Sequence, residues 1–266
     1  MFADLALSRR LERQEALGGM RFIDARRRIE TGSGACWTEI AGATLLFDGV
    51  SSPITQTFGL GLLDEPSAGD LDRIEAFFRE RGAPVFHEVS PLAGVPLADL
   101  LASRGYRPVE FTSVMYKPLA AYASTRGDSR VTVRIARPGE EDLWSQVSAR
   151  GWSENPEWTD FLLALGRVIA SAEGAHAFFA ELDGSPMATG VLRCEDGVAY
   201  FGGASTIPEA RKQGAQRALL DARMKFAIEH GCDLAMMCAH CGSASQRNAE
   251  REGFRIAYTR TKWGLQ

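Results

Sequence analysis

Residues 198–231 constrain the fold more than any other part of the chain, because they suggest a strand, a glycine turn and a helix in succession. Residues 198–205 are apolar and aromatic, as expected for a buried strand. A proline turn and a basic segment that contains Gly214 follow. Gly231 is the expected end of the helix. Apolar residues with the spacing of one helix face lie between these glycines, at Ala215, Ala218, Leu219, Ala222 and Phe226.

The glycine turn at residues 211–216 is suited to hold an anion. A helix that begins at a glycine leaves its first backbone amides without side-chain partners, and the helix dipole favours negative charge there. Gly214 lets a bulky ligand approach the backbone closely. Arg211 and Lys212 add positive charge, which favours a phosphate or pyrophosphate. The alternative is an ordinary strand, turn and helix without a ligand, because short glycine motifs recur by accident.

Composition limits the class of protein. The 266 residues allow one large domain or two ordinary ones, and 45% hydrophobic with 24% charged residues is typical of a globular chain. A formal charge of −4 argues against nucleic acid as the main partner. No uncharged apolar run reaches about 18 residues, so no membrane span is predicted, and residues 1–10 hold no signal-peptide core. Five cysteines without framework spacing favour reduced thiols and a cytoplasmic protein.

The two halves of the chain resemble each other. In each half a helix is predicted to end at a glycine, Gly82 or Gly231, and an apolar strand and a short helix follow. The triplets Gly105-Tyr106-Arg107 and Gly253-Phe254-Arg255 then open the last strand, 23 and 22 residues later (105−82 and 253−231). The shared order and spacing suggest a duplication.

We therefore predict an N-terminal domain at 1–119, a polar linker at 120–130 and a C-terminal domain at 131–266. In the C-terminal domain, Asp183-Gly184 and Asp196-Gly197 separate three β-rich runs and are strong hairpin signals. They predict an antiparallel meander that leads into the glycine turn.

The glycine turn resembles motif A of the GCN5-related N-acetyltransferase (GNAT) superfamily, which reads (Gln/Arg)-x-x-Gly-x-(Gly/Ala) after a strand end of the type V-x-P. Here Thr206-Ile207-Pro208 precedes Arg211-Lys212-Gln213-Gly214-Ala215-Gln216, and Gln216 replaces the last small residue. The resemblance covers residues 131–266, and 36–119 by inferred repetition. It implies an α/β (α+β) fold of two GNAT-like repeats, each with a mixed, mostly antiparallel central sheet flanked by helices.

The N-terminal half has no counterpart to the glycine turn. Before its helix it carries Asp64, Glu65 and Asp70, and three carboxylates at the pyrophosphate position would repel that group. The resemblance therefore implies a degenerate N-terminal repeat that does not bind coenzyme A. Residues 3–30 are predicted to form a helix, which Gly18-Gly19 could interrupt.

The resemblance implies acetyl-CoA as the co-substrate. Main-chain groups of Ala204 and Thr206 would contact its pantetheine arm, and an amide near Ser205 would stabilise negative charge on the thioester oxygen. Gly202-Gly203 would ease a bulge in this strand, or allow close packing of a neighbouring element. The side chain of Gln216 would lie near the pyrophosphate. The pyrophosphate contacts would come from the turn, at Arg211, Lys212, Gln213, Gly214, Ala215 and Gln216.

An amine acceptor must be neutral to attack, so acetyl transfer needs a general base. Superfamily members often keep a carboxylate on the strand that ends in motif A, but Tyr200 and its neighbours include none. Candidate bases are Glu154 and Glu157, in a loop where Trp152 and Trp158 would bind a cationic amine through their ring faces. Tyr200 is a further candidate for acceptor binding. The alternative is that the acids are merely exposed and the tryptophans pack in the core.

The usual general acid of the superfamily is a tyrosine in the helix before the Gly-Phe step, and that position is Ala249 here. Ser245 and Asn248 lie one turn apart and could contact the pantetheine or the thiolate, or only cap and solvate the helix. Tyr258 is a more distant substitute for the acid. Residues 238–241 (Cys-Ala-His-Cys) form half of a zinc site without a second pair, so no metal is predicted.

Together these features predict an N-acetyltransferase that moves an acetyl group from acetyl-CoA directly to the amine of a small molecule or peptide. The expected partners include neither nucleic acid nor a membrane, and a homodimer is compatible with the sequence. The alternative is a non-catalytic acyl-CoA-binding or interaction module, since the missing strand carboxylate and the missing tyrosine are what that function predicts.

Overall fold

The computed structural model describes residues 2–120, 122, 130–152 and 156–265. Contacts group the chain into two compact units: unit 1 is Met1–Lys117 with Cys238–Gln266, and unit 2 is Pro118–Met237. Most of the predicted linker lies outside the described residues. Within the described part of the chain, no helix combines the length and apolar character that crossing a membrane requires.

Helices and strands are interspersed along the chain, in agreement with the predicted α/β (α+β) fold. In chain order they are α1 (Leu5–Ile29), β1 (Cys36–Ile40), β2 (Ala43–Phe47), β3 (Gln56–Phe58), α2 (Ala68–Arg79), β4 (Phe86–Val89), α3 (Val95–Ser103), β5 (Tyr106–Pro118), β6 (Val131–Ile135), α4 (Glu141–Trp152), α5 (Thr159–Ser171), β7 (Ala175–Leu182), β8 (Ser185–Glu195), β9 (Val198–Thr206), α6 (Ala215–Glu229), β10 (Leu234–His240), α7 (Ala244–Arg251) and β11 (Arg255–Leu265).

In unit 1 the strands lie in the order β1-β2-β3-β4-β11-β5. The pair β3–β4 is parallel and the other pairs are antiparallel. Helix α1 is continuous through Gly18-Gly19, so the predicted interruption is wrong. The reason is packing, because a Cβ on Gly19 would overlap the side chain of Leu46 in β2. Glycine serves here for close approach and not as a helix breaker.

The last strand of the chain explains why unit 1 is discontinuous in sequence. Strand β11 lies between β4 and β5 and pairs with both, for example Lys262 with Glu88 and with Glu110. A strand paired along both edges satisfies its backbone hydrogen bonds within that sheet. The observed grouping therefore differs from the predicted domains 1–119 and 131–266, because residues 238–266 are assigned to unit 1.

In unit 2 the strands lie in the order β10-β9-β8-β7-β6. All neighbours are antiparallel except the parallel pair β9–β10. The two predicted hairpins are confirmed. Both of their turns have positive φ at each central residue, with +52° at Asp183 and +50° at Asp196 followed by glycines at +80° and +73°. This is the backbone that Asp-Gly turns favour in tight hairpins.

Helices α4 and α6 pack on opposite faces of the unit 2 sheet. Adjacent residues of a strand face opposite sides, and on β7 Phe179 packs with Trp144 of α4 while Phe178 meets the ring of Phe226 of α6. The indole N–H of Trp144 donates to the carbonyl of Phe178 at 3.1 Å. This contact fixes α4 against the strands that lead to the glycine turn.

The buried face of α6 differs in part from the predicted stripe. Ala215, Ala218 and Leu219 are buried as expected, but Ala222 and Phe226 are only half-buried. Further buried residues of the helix are Asp221, Arg223, Met224 and Ala227. The helix ends before Gly231, whose φ of +76° confirms the predicted stop.

Candidate functional site

The predicted bulge in β9 is present. The register of β9 against β8 shifts between Thr189 and Val191, so Gly203 and Ala204 together face Gly190 alone. Gly203 has a φ of +57°, a conformation that glycine adopts without strain. A bulge of this kind redirects the backbone groups of the strand where it occurs.

Beyond the bulge, one edge of β9 has no strand partner in the described chain. Parallel pairing with β10 covers only the first three residues of β9 and stops at Tyr200. On the opposite edge the amide of Ile207 donates to the carbonyl of Met187 at 3.0 Å. Backbone groups of successive strand residues point to alternate edges. The N–H and C=O groups of Ala204 and Thr206 therefore point to the unpaired edge.

Three side chains, two from α6 and one from β8, hold the carbonyl oxygens of the bulged segment. Because C=O and N–H of one trans peptide point in opposite directions, a Gly203 carbonyl that faces β8 turns the Ala204 amide away from β8. The side chain of Gln216 folds back onto β9, where it donates to the carbonyl of Ser205 and to the hydroxyl of Thr206. The three contacts are Arg223 Nη1 to Gly202 O (3.3 Å), Thr189 Oγ1 to Gly203 O (3.4 Å) and Gln216 Nε2 to Ser205 O (2.7 Å).

The side chain of Ser205 is buried in unit 2 and hydrogen-bonded there. Its buried hydroxyl donates to the carbonyl of Ser148 in α4 at 3.1 Å and lies 3.0 Å from the hydroxyl of Thr189. A Cβ on Gly151 would lie 2.5 Å from this hydroxyl and 2.8 Å from the amide nitrogen of Thr206, so α4 needs a glycine there. The amides next to Ser205 that face the unpaired edge are those of Ala204 and Thr206.

Helix α6 begins without a side-chain cap. Its N-cap is Gly214, with a φ of +83°, and a Cβ on this glycine would meet no atom within 4 Å. Lys212 also has a positive φ, +65°. The side chain of Gln213 donates to the carbonyl of Glu209 at 3.3 Å, a hydrogen bond within the turn. The first amides of α6 therefore have no side-chain cap, and a helix start of this kind is suited to bind an anion.

Positive charge gathers beside this turn. Arg211 is exposed and its Nη2 donates to the carbonyl of Gly151 at 3.5 Å, which holds the guanidinium next to the start of α6. Lys212 is exposed too. The nearby carboxylate of Glu209 lies 3.6 Å from the guanidinium of Arg150, which offsets its charge. The local balance favours an anion with more than one negative charge.

The predicted acceptor residues lie at the end of α4 and the start of α5. Trp152 is 60% exposed and Trp158 is 57% exposed. The alternative that these two tryptophans pack in the core is therefore wrong. The core tryptophan of unit 2 is Trp144. Glu157 is exposed, whereas Glu154 lies outside the described residues. Two exposed indoles near an acid suit a cationic ligand.

Tyr200 is placed less favourably for an acceptor. Its side chain is half-buried on β9, and the guanidinium carbon of Arg193 lies 4.5 Å from the centroid of its ring. A cation of the protein therefore already covers one face of the ring.

Ser245 and Asn248 belong to unit 1, whereas the bulge and the glycine turn belong to unit 2. Both side chains are exposed on α7. Ser243 caps this helix by accepting from the amide of Gln246 at 3.2 Å, so Ser245 is not the cap. Asn248 accepts a hydrogen bond from Arg251 at 3.2 Å.

Tyr258, the predicted substitute acid, is buried in unit 1. Its hydroxyl donates to Glu12 at 2.9 Å, in a network that Arg260 completes. Burial raises the pKa of Tyr258 well above its ordinary value. A hydroxyl that is buried and already bonded cannot readily protonate a leaving group, and we do not propose it as the acid.

Arg223 is a residue of this region that the sequence alone does not single out. This side chain is fully buried beneath β8 and β9, where Nη1 donates to the carbonyls of Val191 (3.1 Å) and Gly202 (3.3 Å) and Nε donates to that of Leu219 (3.2 Å). Burial lowers its pKa to about 10. Only the observed buried face of α6 reveals this position, because an arginine on an amphipathic helix ordinarily faces solvent.

Residues 121–242 match the family described as the acetyltransferase (GNAT) domain. This match covers most of unit 2, confirms the predicted resemblance to the GNAT superfamily and supports acyl transfer as the general chemistry. No curated protein matches the sequence significantly.

Solved structures confirm the fold over most of the chain. A GCN5-related N-acetyltransferase from Kribbella flavida is similar with a TM-score of 0.68 and 18% identity, over 93% of this chain and 95% of that one. A tandem GNAT protein from the clavulanic acid biosynthesis pathway has a TM-score of 0.60 and 14% identity, over 85% and 78%. A GCN5-related N-acetyltransferase from Sphaerobacter thermophilus has a TM-score of 0.57 and 16% identity, over 85% and 81%. The chain has the GNAT fold.

Proposed function

We propose that this protein transfers an acetyl group from acetyl-CoA to the amine of a small molecule or peptide. One observation carries the proposal: the uncapped start of α6 lies directly after a bulged strand with an unpaired edge. Such an arrangement offers amides to an anionic group and main-chain groups to an extended arm of the same ligand.

The residues present fit the diphosphate of coenzyme A. Amides at the start of α6 would bind its oxygens, with Gly214 giving room for close approach. Arg211 and Lys212 would neutralise its charge. The main chain of Ala204 and Thr206 would pair with the pantetheine arm. When bound, acetyl-CoA supplies the activated acetyl thioester.

The backbone of β9 would supply electrostatic stabilisation. The Ala204 amide points to the unpaired edge and is fixed there by the bulge. A preorganised N–H aimed at an oxygen that gains negative charge lowers the barrier, because no reorganisation is needed during the reaction. The protein uses a backbone donor here, which no side-chain motif in the sequence would show.

The acceptor amine would bind near the end of α4. The exposed rings of Trp152 and Trp158 suit a cation, and the carboxylates of Glu154 and Glu157 are the proposed bases that remove its proton. This assignment favours amines that carry an apolar or cationic body over small neutral acceptors.

The two halves share one structural connection, which supports the proposed duplication. Both β3-α2-β4 and β9-α6-β10 are strand–helix–strand units in which the two strands are parallel. We propose that the N-terminal half is a repeat that has lost coenzyme A binding and that the last strand of the chain, β11, completes its sheet.

Release of free thiol from acetyl-CoA tests the proposal. Purified protein is assayed over polyamines, aminoglycosides, amino acids and peptides, and at least one class should accelerate thiol release well above the rate without acceptor. Tight acetyl-CoA binding with no turnover over the whole panel would contradict acetyl transfer and support the acyl-CoA-binding module.

The proposed bases are tested with Glu154→Gln and Glu157→Gln. The variant that lacks the base should lose about 100-fold in kcat near pH 7, together with the acidic limb of the pH–rate profile. Asp160→Asn is the matched control, since this exposed acid lies three residues from Glu157. Unchanged profiles in both glutamate variants would remove both from the mechanism.

A further inference from the structure

Arg223 is a buried cation without a carboxylate partner in the described part of unit 2. Its neighbours are neutral: the guanidinium carbon lies 5.1 Å from the ring centroid of Phe201, and its hydrogen bonds go to backbone carbonyls of Val191, Gly202 and Leu219. Burying a charge without an opposite charge is unfavourable. Exceptions of this kind are expected at functional or strained positions.

The position of the guanidinium coincides with the bulge of β9. Val191 and Gly202 are the last paired residues before the register shift, and Arg223 donates to the carbonyls of both. One Nη1 group therefore joins β8 and β9 where their ordinary ladder is interrupted. An irregular strand leaves carbonyl groups to be satisfied by other donors, and this donor is rigidly planar.

Gly190 makes room for the guanidinium. A Cβ at this position would lie 2.8 Å from the guanidinium carbon and 2.8 Å from Nη1 of Arg223. Gly190 is also the residue that faces Gly203 and Ala204 across the bulge. Gly190 therefore contacts both the bulge and the guanidinium of Arg223, and a side chain at this position would displace the guanidinium.

We propose that Arg223 is a positioning residue that locks the bulge of β9 and so aims the Ala204 amide at the reacting oxygen, with its buried positive charge adding to the field at that point. The role in acetyl transfer rests on the proposed function. The role in holding the bulge does not, because it concerns only contacts within unit 2.

The test compares Arg223→Met with Arg134→Met. Methionine fills similar space without a charge or donors. Arg134 is a matched control in unit 2, where it is paired with Glu140 and Glu181 and does not contact the bulge. Amide hydrogen exchange over residues 201–206 is measured on the free protein, and kcat and KM for acetyl-CoA are measured in the thiol-release assay.

We expect Arg223→Met to speed exchange of residues 201–206 at least tenfold, to lower kcat about 10- to 100-fold and to change KM for acetyl-CoA less than threefold. Arg134→Met should leave the exchange of this segment as in the wild type. Exchange of residues 201–206 that does not change in Arg223→Met overturns the inference, whatever happens to kcat. Faster exchange with unchanged kcat overturns the role in catalysis.

A second variant keeps the test decisive if Arg223→Met does not fold. Gly190→Ala retains the arginine but displaces the guanidinium, so it should also speed exchange of residues 201–206 and lower kcat. Failure of the proposed function looks different: the wild type then releases no thiol with any amine, while the exchange of residues 201–206 still responds to Arg223→Met.

Discussion

Helices α2 and α6 differ at their N-termini. The N-terminus of α2 is closed, because a side chain caps it, whereas the N-terminus of α6 is open, because no side chain caps it. At α2, Ser67 is the N-cap and forms a capping box with Asp70: the Asp70 amide donates to the Ser67 hydroxyl at 3.2 Å and the Ser67 amide donates to the Asp70 carboxylate at 2.9 Å. The Ser67 hydroxyl also donates to the Asp70 carboxylate at 2.7 Å, and this bond together with that from the Ser67 amide lowers the pKa of Asp70 to about 2. At α6 the N-cap is Gly214, which offers no side chain.

The loops before the two helices differ in the same way. Before α2, Leu60 and Leu62 are buried, and a Cβ on Gly61 would lie 2.7 Å from the side chain of Leu97. Before α6, the space around Gly214 is empty. One strand–helix connection is thus filled and capped by its own side chains, whereas the other leaves amides and space for a ligand.

Buried charges follow the same division. In unit 1, Arg260 is paired with Glu12, Glu15 and Glu88 at 3.0–3.3 Å. In unit 2, Arg223 has only carbonyl acceptors among the described residues. The buried arginine of unit 1 is thus neutralised by carboxylates, whereas that of unit 2 is held by neutral backbone carbonyls.

The largest effect is expected from closing the open helix. Gly214→Asp places bulk and negative charge against the anion, so acetyl-CoA affinity should fall about 100-fold, or about 2.7 kcal/mol, in a calorimetric titration. Gly231→Asp is the matched control, because this glycine at the other end of α6 also has positive φ and open space around it. Equal affinities of the two variants would reject the placement of the site.

The charged core of unit 1 should make its stability depend on pH. Burial raises the pKa of Glu12 to about 7. The folded state therefore binds this proton more tightly than the unfolded chain. The contribution of Glu12 to the free energy of unfolding is complete below its ordinary pKa of 4.5 and is lost as pH rises through 7.

Glu12→Gln tests this dependence. From pH 5 to pH 8, the free energy of unfolding of the wild type should fall by about 2 kcal/mol relative to that of the variant. Denaturant titrations at the two pH values measure this change. A difference that is independent of pH would show that Glu12 ionises normally in the folded protein.

Opening the closed helix should have a smaller effect. Ser67→Ala removes the cap of α2 and should lower the free energy of unfolding by about 1 kcal/mol, since the amide of Asp70 loses its acceptor. Acetyl-CoA affinity should not change. An affinity that falls along with stability would place the ligand at α2 and reverse the comparison.

The smallest effect concerns Gln216. Its side chain donates to the carbonyl of Ser205 at 2.7 Å and to the hydroxyl of Thr206 at 2.8 Å, and so faces β9. Gln216→Ala should therefore change acetyl-CoA affinity less than threefold and lower stability by about 1 kcal/mol. A tenfold change in affinity would show that the amide side chain contacts the ligand.

Local signals explain what the sequence predicted. Asp183-Gly184, Asp196-Gly197 and Gly214 each require a backbone conformation that few residues adopt, so the hairpins and the helix start are visible in short windows. The bulge at Gly203 belongs to the same class.

Long-range contacts explain what the sequence did not predict. The position of β11 between β4 and β5 depends on pairing between residues more than a hundred positions apart, for example Thr261 with Val89. The buried position of the Arg223 side chain on α6 depends on the space that Gly190 leaves on β8. Neither leaves a trace in the periodicity of its own element, because propensity describes neighbours in sequence and not neighbours in space.

The central claim is that acetyl-CoA binds the open helix and leaves the closed one unoccupied. The direct measurement is an NMR titration of the wild type with acetyl-CoA, following backbone amides. The largest shifts should occur at residues 212–216 and at Ala204, with none at residues 67–71. Saturable binding that leaves the amides of residues 212–216 unshifted, or that shifts those of α2 instead, would contradict the account.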